Sequence, residues 1–427
     1  MNGDYPKALQ VEVTNRCNFS CRMCVRRVWN VKPSDLNLDL YEKIAESSFP
    51  HLERVILYGF GEPLVHPNFL EMLRVARKYL PRDGEILVST NGSLFNRQLA
   101  EKILRNGVNN VSFSIDTTDI VKLEQIREGS KPEDLLRNFH YVAEMKKRYS
   151  FKLGVEVVVM RSNFEDLPTL VKRIAQEEAD YILVSHVVPY TEEIFQDSVY
   201  VTLSRKPLEI MESFLSRDQK FVLEAIYEAL GSIYGFSNKS RASNIIRELW
   251  RKAEENGYWI NPPLFFKSKD KIAIMKDVER VFDLSRKIAH DYHIEIRLPN
   301  LYPDAKERKC PYIEKETVFV RSDGTIAPCS EFAYHHPVYI NMHIKSIHPI
   351  SFGDLKRESL REIWNKKDYV KFREIRKRIA ENIPWCGDCL YSPSKCFFTE
   401  TNALDCYANE PGCNECLYSV NLAQCNI

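Results

Sequence analysis

The sequence carries no excess of either charge: 60 Lys and Arg stand against 59 Asp and Glu over 427 residues, a formal net charge of +1. A dedicated nucleic-acid or polybasic membrane binder shows an electrostatic footprint, so neither partner is expected. Long apolar runs are missing too. The densest, Val155 to Met160, is of strand length, against the about 20 residues that cross a bilayer. The opening Met1-Asn2-Gly3-Asp4 has neither the basic nor the apolar region of a secretory signal, so a soluble, cytoplasmic chain is expected. Cysteine is absent from 25 to 309 and then abundant: of twelve, three stand at 17, 21 and 24 and nine fall within 310–427. A disulfide scaffold would be short and exported. In a reducing compartment, closely spaced cysteines point to metal.

The length allows two or three domains. Short β-branched runs occur at Ala8–Thr14, Arg54–Gly59, Glu85–Thr90, Asn110–Asp116, Lys152–Met160 and Tyr181–Pro189. Helical periodicity falls between them, as at Leu40–Ser47, Phe69–Tyr79 and Gln98–Asn106. Such alternation predicts a parallel sheet covered by helices, either an open doubly wound sheet or a partial barrel, with function at the carboxyl ends of the strands. From about 200 to 292 helix dominates (Pro207–Leu215, Phe221–Leu230, Ala242–Glu255, Val278–Tyr292), interrupted at Asn261-Pro262-Pro263 and followed by a strand at His293–Leu298. This stretch reads as the sheet domain's last helix plus an inserted packing element. The remainder is broken by Pro and Gly, with one long charged helix predicted over about Asp354 to Glu381, its Lys and Arg on a solvated face. The division expected is 1–199, 200–299 and 300–427.

Cys17-Asn18-Phe19-Ser20-Cys21-Arg22-Met23-Cys24 reads C-x3-C-x2-C just after the first predicted strand. Three thiolates on one loop can converge on an iron–sulfur cube and leave one of its irons free to bind substrate. The alternative is a structural zinc knuckle, with His51 or His66 as fourth ligand. The spacing resembles the signature of the radical SAM superfamily, and other parts follow in order. Met23 lies where that family keeps a bulky residue near the adenine. Gly61-Glu62-Pro63 resembles the motif that meets the SAM amino group, with Phe60 replacing one of the usual paired glycines. Ser89-Thr90-Asn91-Gly92 and Ser114-Ile115-Asp116 resemble stretches that hold the methionine carboxylate or ribose. The resemblance implies a partial (β/α)6 barrel and a [4Fe–4S] cluster held by Cys17, Cys21, Cys24 and SAM. It also implies reductive SAM cleavage to a 5′-deoxyadenosyl radical, SAM contacts at Met23, Gly61, Glu62, Pro63, Ser89, Asn91, Ser114 and Asp116, and an electron donor such as ferredoxin or flavodoxin. No general acid or base can be named; Glu156 and Asp116 face the expected lumen.

The second group runs Cys310-x18-Cys329, then Cys386-x2-Cys389-x6-Cys396-x9-Cys406-x6-Cys413-x2-Cys416-x8-Cys425. Within it Cys386-Gly387-Asp388-Cys389-Leu390-Tyr391-Ser392 is echoed by Cys413-Asn414-Glu415-Cys416-Leu417-Tyr418-Ser419, with Cys396 and Cys425 trailing. The two stretches look like paired cluster-binding turns. Zinc ribbons are the alternative. The arrangement, with a hairpin turn at Arg321–Gly324, resembles the SPASM extension of radical SAM enzymes, which implies two auxiliary [4Fe–4S] clusters. Cys310 and Cys329 would join the first, Cys386, Cys389 and Cys396 the second; Cys406, Cys413, Cys416 and Cys425 stay unassigned. Nine cysteines exceed the eight that two cubes need, so one is spare.

SPASM enzymes most often act on peptides or proteins. A second group acts on cofactors, and the Gly59–Leu64 variant and the Cys-x2-Cys-Leu-Tyr-Ser ending resemble a branch associated with tungsten-containing aldehyde ferredoxin oxidoreductases. The expectation is a maturase for that tungstopterin cofactor or its host enzyme. The alternatives are a peptide maturase, for which no added leader-binding domain is expected since strand one starts near Ala8, and a non-catalytic iron–sulfur electron carrier.

Overall fold

The computed structural model describes residues 3–216, 241–394 and 396–427; the helix expected over Phe221–Leu230 lies outside them. Six parallel strands follow the expected runs: β1 (Ala8–Val11), β2 (Arg54–Ile56), β3 (Glu85–Thr90), β4 (Asn110–Ser114), β5 (Lys152–Val159) and β6 (Tyr181–His186). Between them run α1 (Leu38–Ser48), α2 (Phe69–Tyr79), α3 (Arg97–Arg105), α4 (Ile120–Ile126), α5 (Pro132–Met145) and α6 (Leu167–Gln176). The strands alternate sides. Leu9, Val55, Val88, Val111, Val155 and Val184 face the helices in the main core. The opposite face carries Gln10, Glu12, Ser112 and Glu156, whose partners come from the far end of the chain.

The sheet continues on both sides. β7 (Glu295–Arg297) pairs parallel with β6, and β8 (Thr317–Val320) pairs parallel with β1. Beyond β8 come β9 (Thr325–Ala327) and β12 (Gly353–Asp354), both antiparallel, while β10 (His336–Ile340) and β11 (His343–Ile347) form a separate hairpin. The order is β12-β9-β8-β1-β2-β3-β4-β5-β6-β7, an open sheet built on the expected six strand–helix units. Gly324, at φ +84°, makes the turn predicted at Arg321–Gly324 between β8 and β9.

Two sequence expectations change. Pro262-Pro263 does not simply interrupt helix: Asn261 accepts the Leu264 N–H at 3.1 Å, and the prolines open the short helix Pro262–Lys267. The long helix Lys269–Asp291 then packs beside α6 and leads into β7. The charged helix expected over Asp354–Glu381 is three: Leu360–Trp364, Lys367–Lys377 and Ile379–Asn382. Ser359 and Glu362 form a capping box that starts the first of them. Nor is the basic face wholly solvated, since Arg373 and Arg376 are buried. Among the described residues no helix is long and apolar enough to cross a membrane.

Candidate active site

The loop after β1 carries Cys17, Cys21 and Cys24, and neighbouring backbone holds it on several sides. Asn15 ties its start to the 32–34 segment, accepting the Ser34 N–H at 2.7 Å and donating to Lys32 O at 3.0 Å. Arg26 reaches back to Asn15 O and Phe19 O at 3.1 and 3.2 Å. Ser20 N and Arg22 N donate to Glu128 O and Ile126 O at 2.8 and 2.9 Å, fixing the loop to the end of α4. Burial pushes the Cys21 thiol up to about 11, with Arg127 opposing and the Cys24 and Cys17 charges adding. Burial raises Cys17 and Cys24 as well. Three free thiols on one loop, close enough to oppose one another's ionisation, form a donor set that gives up its protons when metal binds. They fit a cubane with one open iron.

Gly61 packs on that loop. A Cβ there would lie 2.3 Å from Thr14 O and 2.5 Å from Arg16 O, backbone atoms that cannot swing away. Glu62 N donates to Arg16 O at 2.8 Å. The buried Glu62 carboxyl accepts from Thr90 Oγ1, Asn91 N and Leu64 N at 2.7, 2.6 and 3.2 Å. Burial nevertheless pushes it up to about 7. Its side chain therefore braces the end of β3, leaving the backbone of Gly61-Glu62-Pro63 to face the loop. Asn91 donates to Asn18 Oδ1 at 2.9 Å and stands 3.7 Å from Cys17 Sγ. Asp116 is bound by Arg127 at 2.8 Å and by Val158 N at 2.9 Å, and Arg127 lies 4.0 Å from Cys21 Sγ.

Below the loop lies a chamber of about 200 Å³, lined by Met23, Ser114, Arg127, Glu156, Tyr190, Tyr418 and Gln424 among others. Met23 and Ser114 were expected there. The other expected contacts are not in its lining: Gly61 and Glu62 pack on the loop and Asn91 beside Cys17, Asp116 is paired with Arg127, and Pro63 and Ser89 follow Glu62 and precede Asn91 in their segments. Arg127, Tyr190, Tyr418 and Gln424 were not foreseen. Each comes from a different segment, and only Tyr418 lay within a recognisable pattern, the repeated knuckle.

The cysteines beyond 300 separate in space. Cys310, Cys329, Cys413 and Cys416 line one cavity with Phe332, Val338, Ile340 and Phe372, enclosing about 60 Å³, several times what one water requires. Burial pushes Cys310 up to about 11 and raises Cys329 and Cys416 further. The buried Arg376 donates Nε–H to Cys413 Sγ at 3.2 Å, and Arg308 donates to Cys413 O at 2.9 Å. A second set gathers Cys386, Cys389, Cys396 and Cys406: burial raises the thiols of Cys386, Cys389 and Cys406, and Cys389 adds to the first, Cys396 to the second and both to the third. The repeated knuckle has a local cause. Ser392 and Ser419 each return a hydroxyl to the carbonyl of the second cysteine, at 3.0 Å on Cys389 and 2.7 Å on Cys416. The acid between the cysteines is buried in both copies. Asp388 is pushed up to about 7 by burial, whereas Lys345 and His343 hold Glu415 down at about 2 against its burial. The echo ends at the trailing cysteines: Cys396 stays with its knuckle, but Cys425 has Glu156, Glu331 and Lys315 as its charged neighbours. Each set brings four thiols together, the number of ligands a cubane takes.

An open βα sheet, a three-thiol loop at the carboxyl end of its first strand and a cysteine-rich extension together define a class. Residues 11–174 match the radical SAM superfamily and residues 310–390 the SPASM iron–sulfur cluster-binding domain, and the chain is a radical SAM enzyme carrying that domain. Its likeness to one relative is end to end. It is 29% identical over 427 residues, 99% of this chain and 97% of the other, to the tungsten-containing aldehyde ferredoxin oxidoreductase cofactor-modifying protein of Pyrococcus furiosus. A GTP 3′,8-cyclase of Chlorobaculum tepidum is 29% identical over 127 residues, 30% of this chain and 38% of that one. The fold is that of anSMEcpe with bound AdoMet, at a TM-score of 0.53 and 14% identity over 95% of this chain and 93% of that one. Streptococcus suis SuiB bound to S-adenosylmethionine aligns at a TM-score of 0.52 and 12% identity, over 87% and 68%.

Proposed function

We propose that the chain is a maturase that uses a 5′-deoxyadenosyl radical to modify the tungstopterin cofactor of a tungsten-containing aldehyde ferredoxin oxidoreductase, or that host enzyme itself. The observation that carries this reading is likeness across 99% of this chain and 97% of the Pyrococcus furiosus relative. A reduced [4Fe–4S] cluster at Cys17, Cys21 and Cys24 with SAM supplies the radical; the rest falls to side chains. Met23 and Ser114 line the SAM end of the chamber, and Gly61, Glu62, Pro63, Ser89 and Asn91 shape its Cys17 side. Asp116 orients Arg127 toward the cluster loop. Two auxiliary [4Fe–4S] clusters take the two four-thiol sets, and a ferredoxin or flavodoxin delivers electrons in the cytoplasm. In this reading residues 1–199 hold SAM, 200–299 brace the sheet and 300–427 carry the auxiliary clusters.

Metal analysis of anaerobically reconstituted protein tests the cofactor set. About twelve irons without zinc, falling by about four in Cys17→Ala/Cys21→Ala/Cys24→Ala, are expected. For the substrate, a tungsten oxidoreductase produced without this chain is incubated with holoenzyme, SAM and dithionite. Aldehyde oxidation that rises with wild type and not with the triple variant supports the proposal. A mass change in a peptide or protein side chain, with no change in the pterin, moves the reading to peptide or protein maturation.

A further inference from the structure

The two copies of the repeated knuckle differ at two positions, Gly387 and Asp388 in the first against Asn414 and Glu415 in the second. The pairs take different tasks. Asp388 anchors the first copy, accepting Ser204 N and Ser204 Oγ at 2.8 and 2.6 Å. A Cβ on Gly387 would lie 2.0 Å from Thr202 O, so no side chain fits there. In the second copy the same position carries Asn414, whose side chain is fully buried.

Asn414 belongs to one four-thiol set by its backbone and to the other by its side chain. Along the chain it lies between Cys413 and Cys416, both in the lining of the first cavity. Its Nδ2 donates to Cys386 Sγ of the second set at 3.1 Å, and to Phe398 O, just past Cys396, at 3.1 Å. Its carbonyl accepts Cys386 N at 3.0 Å. The amide fits only one way round. Lys345 Nζ, a donor with no lone pair, gives a proton to Asn414 Oδ1 at 2.8 Å, and Phe398 O can only accept, so the N–H groups face the sulfur. Lys345 is buried in turn and paired with Glu415 at 3.1 Å. Every polar atom of the Asn414 side chain is engaged.

We propose that Asn414 sets the potential of the second auxiliary cluster: its N–H, aimed by Lys345, stabilises the charge that reduction adds at Cys386, so that the knuckle serving one site tunes the other. This rests on reading the second set as a cluster site. A reduced cluster carries one more negative charge than an oxidised one, shared in part by its ligand sulfurs. A donor at 3.1 Å favours the reduced form, and hydrogen bonds to sulfur are among the features that fix such potentials. Burial strengthens the bond, and the Lys345 ammonium on the amide oxygen polarises the N–H further. The first knuckle returns no such bond, because Gly387 has no side chain. Asn414 is a positioning residue in this role, acting through Cys386.

The test is an EPR-monitored redox titration of anaerobically reconstituted holoenzyme, with the second cluster's signal identified as the one altered in Cys386→Ser. Asn414→Leu removes the donors at similar volume. Asn414→Asp removes them while keeping an oxygen for Lys345, and serves if the leucine variant does not fold. Both are expected to keep the wild-type iron content. At a fixed potential the ratio of reduced to oxidised second cluster is expected to fall about tenfold, a shift of about 59 mV for one electron. The fall is larger in Asn414→Asp, which adds negative charge, and the Cys310–Cys416 cluster shifts less. An unchanged second potential overturns the proposal, and so does an equal shift of both clusters, the mark of a general field rather than of this bond. Wild type carrying nitrogen-15 in its asparagine side chains supplies a reading without any variant. Pulsed EPR of its reduced second cluster is expected to show a nitrogen hyperfine coupling, and the absence of that coupling overturns the proposal too. About eight irons, or zinc in the second set, would instead remove the cluster itself, and the reading of that set fails with the proposal.

Discussion

Replacing Arg127 with Met removes the cation from a buried pair and leaves the anion in place. Asp116 and Arg127 meet at 2.8 Å with side-chain exposures of 0% and 9%. Burial works against the guanidinium charge, but Asp116 and Cys21 hold it well above its ordinary value. At an effective dielectric near 20, charges at that separation attract by about 6 kcal/mol before desolvation is subtracted. Breaking a buried pair by deleting one partner costs about 3–5 kcal/mol, because the remaining ion is uncompensated. Asp116 keeps the Val158 N–H at 2.9 Å, so the lower end applies. Against an unfolding entropy of roughly 0.9 kcal/mol/K for a folding unit of 427 residues, a loss of about 3 kcal/mol lowers the melting temperature by roughly 3 °C. Thermal unfolding of anaerobically purified protein measures it. The double variant Arg127→Met/Asp116→Asn recovers at least half the loss, since a neutral amide needs no counter-ion and still accepts from Val158. The same substitution removes the strongest opposition to the raised Cys21 thiol, so cluster reconstitution is slower in Arg127→Met. A shift under about 1 kcal/mol, or a double variant as unstable as the single one, would refute the reasoning.

Gly61→Ala sets a methyl group against Thr14 O and Arg16 O; SAM binding measured by equilibrium dialysis falls, and wild-type binding would show that the 59–64 turn yields. Burial depresses His186 to about 3. Between about pH 6.5 and 3 the unfolded chain binds a proton that the folded one declines, so stability falls with falling pH by about 1.4 kcal/mol per unit in that window. Urea midpoints at several pH values show this slope, and His186→Phe flattens it. Arg376→Met removes a cationic donor from Cys413 and so lowers the potential of the cluster in that cavity, read by EPR-monitored titration; an unchanged potential excludes Cys413 as a ligand there.

Legibility followed how local each feature was. The C-x3-C-x2-C loop and the strand–helix alternation were readable because their determinants lie within a few residues. The Ser359–Glu362 capping box was equally local, and it marks a helix start that charge periodicity over Asp354–Glu381 concealed. Arg376 could not be read as buried. Its partners are Cys413 Sγ and the Pro411 carbonyl, more than thirty residues ahead and brought close only by the cavity. Tyr190, Tyr418 and Gln424 share no pattern because the chamber wall is assembled from three separate segments. The pairing of Cys310 and Cys329 with the second knuckle is of the same kind, since spacing orders cysteines along the chain but not across it.

The inner face of the sheet explains why the cysteine-free and cysteine-rich stretches belong to one folding unit. Buried polar groups need partners, and those on and just after β1 find most of theirs beyond 300. Gln10 accepts the Tyr312 hydroxyl at 2.5 Å. Glu12, whose carboxyl burial raises, accepts Phe60 N at 3.0 Å, Ser322 N at 3.3 Å and the Tyr334 hydroxyl. On β5, Glu156 takes Asn426. Each bond deleted would leave an unsatisfied buried group, at about 1–3 kcal/mol apiece. Tyr312 follows Cys310 by two residues, and Ser330, next to Cys329, donates its N–H to the same hydroxyl at 3.2 Å. The residues that cover the inner face are therefore neighbours of the thiols that line the Cys310–Cys416 cavity. Tyr312 thus ties the Cys310–Cys416 cavity to Gln10 on β1, the strand that leads into the Cys17–Cys24 loop.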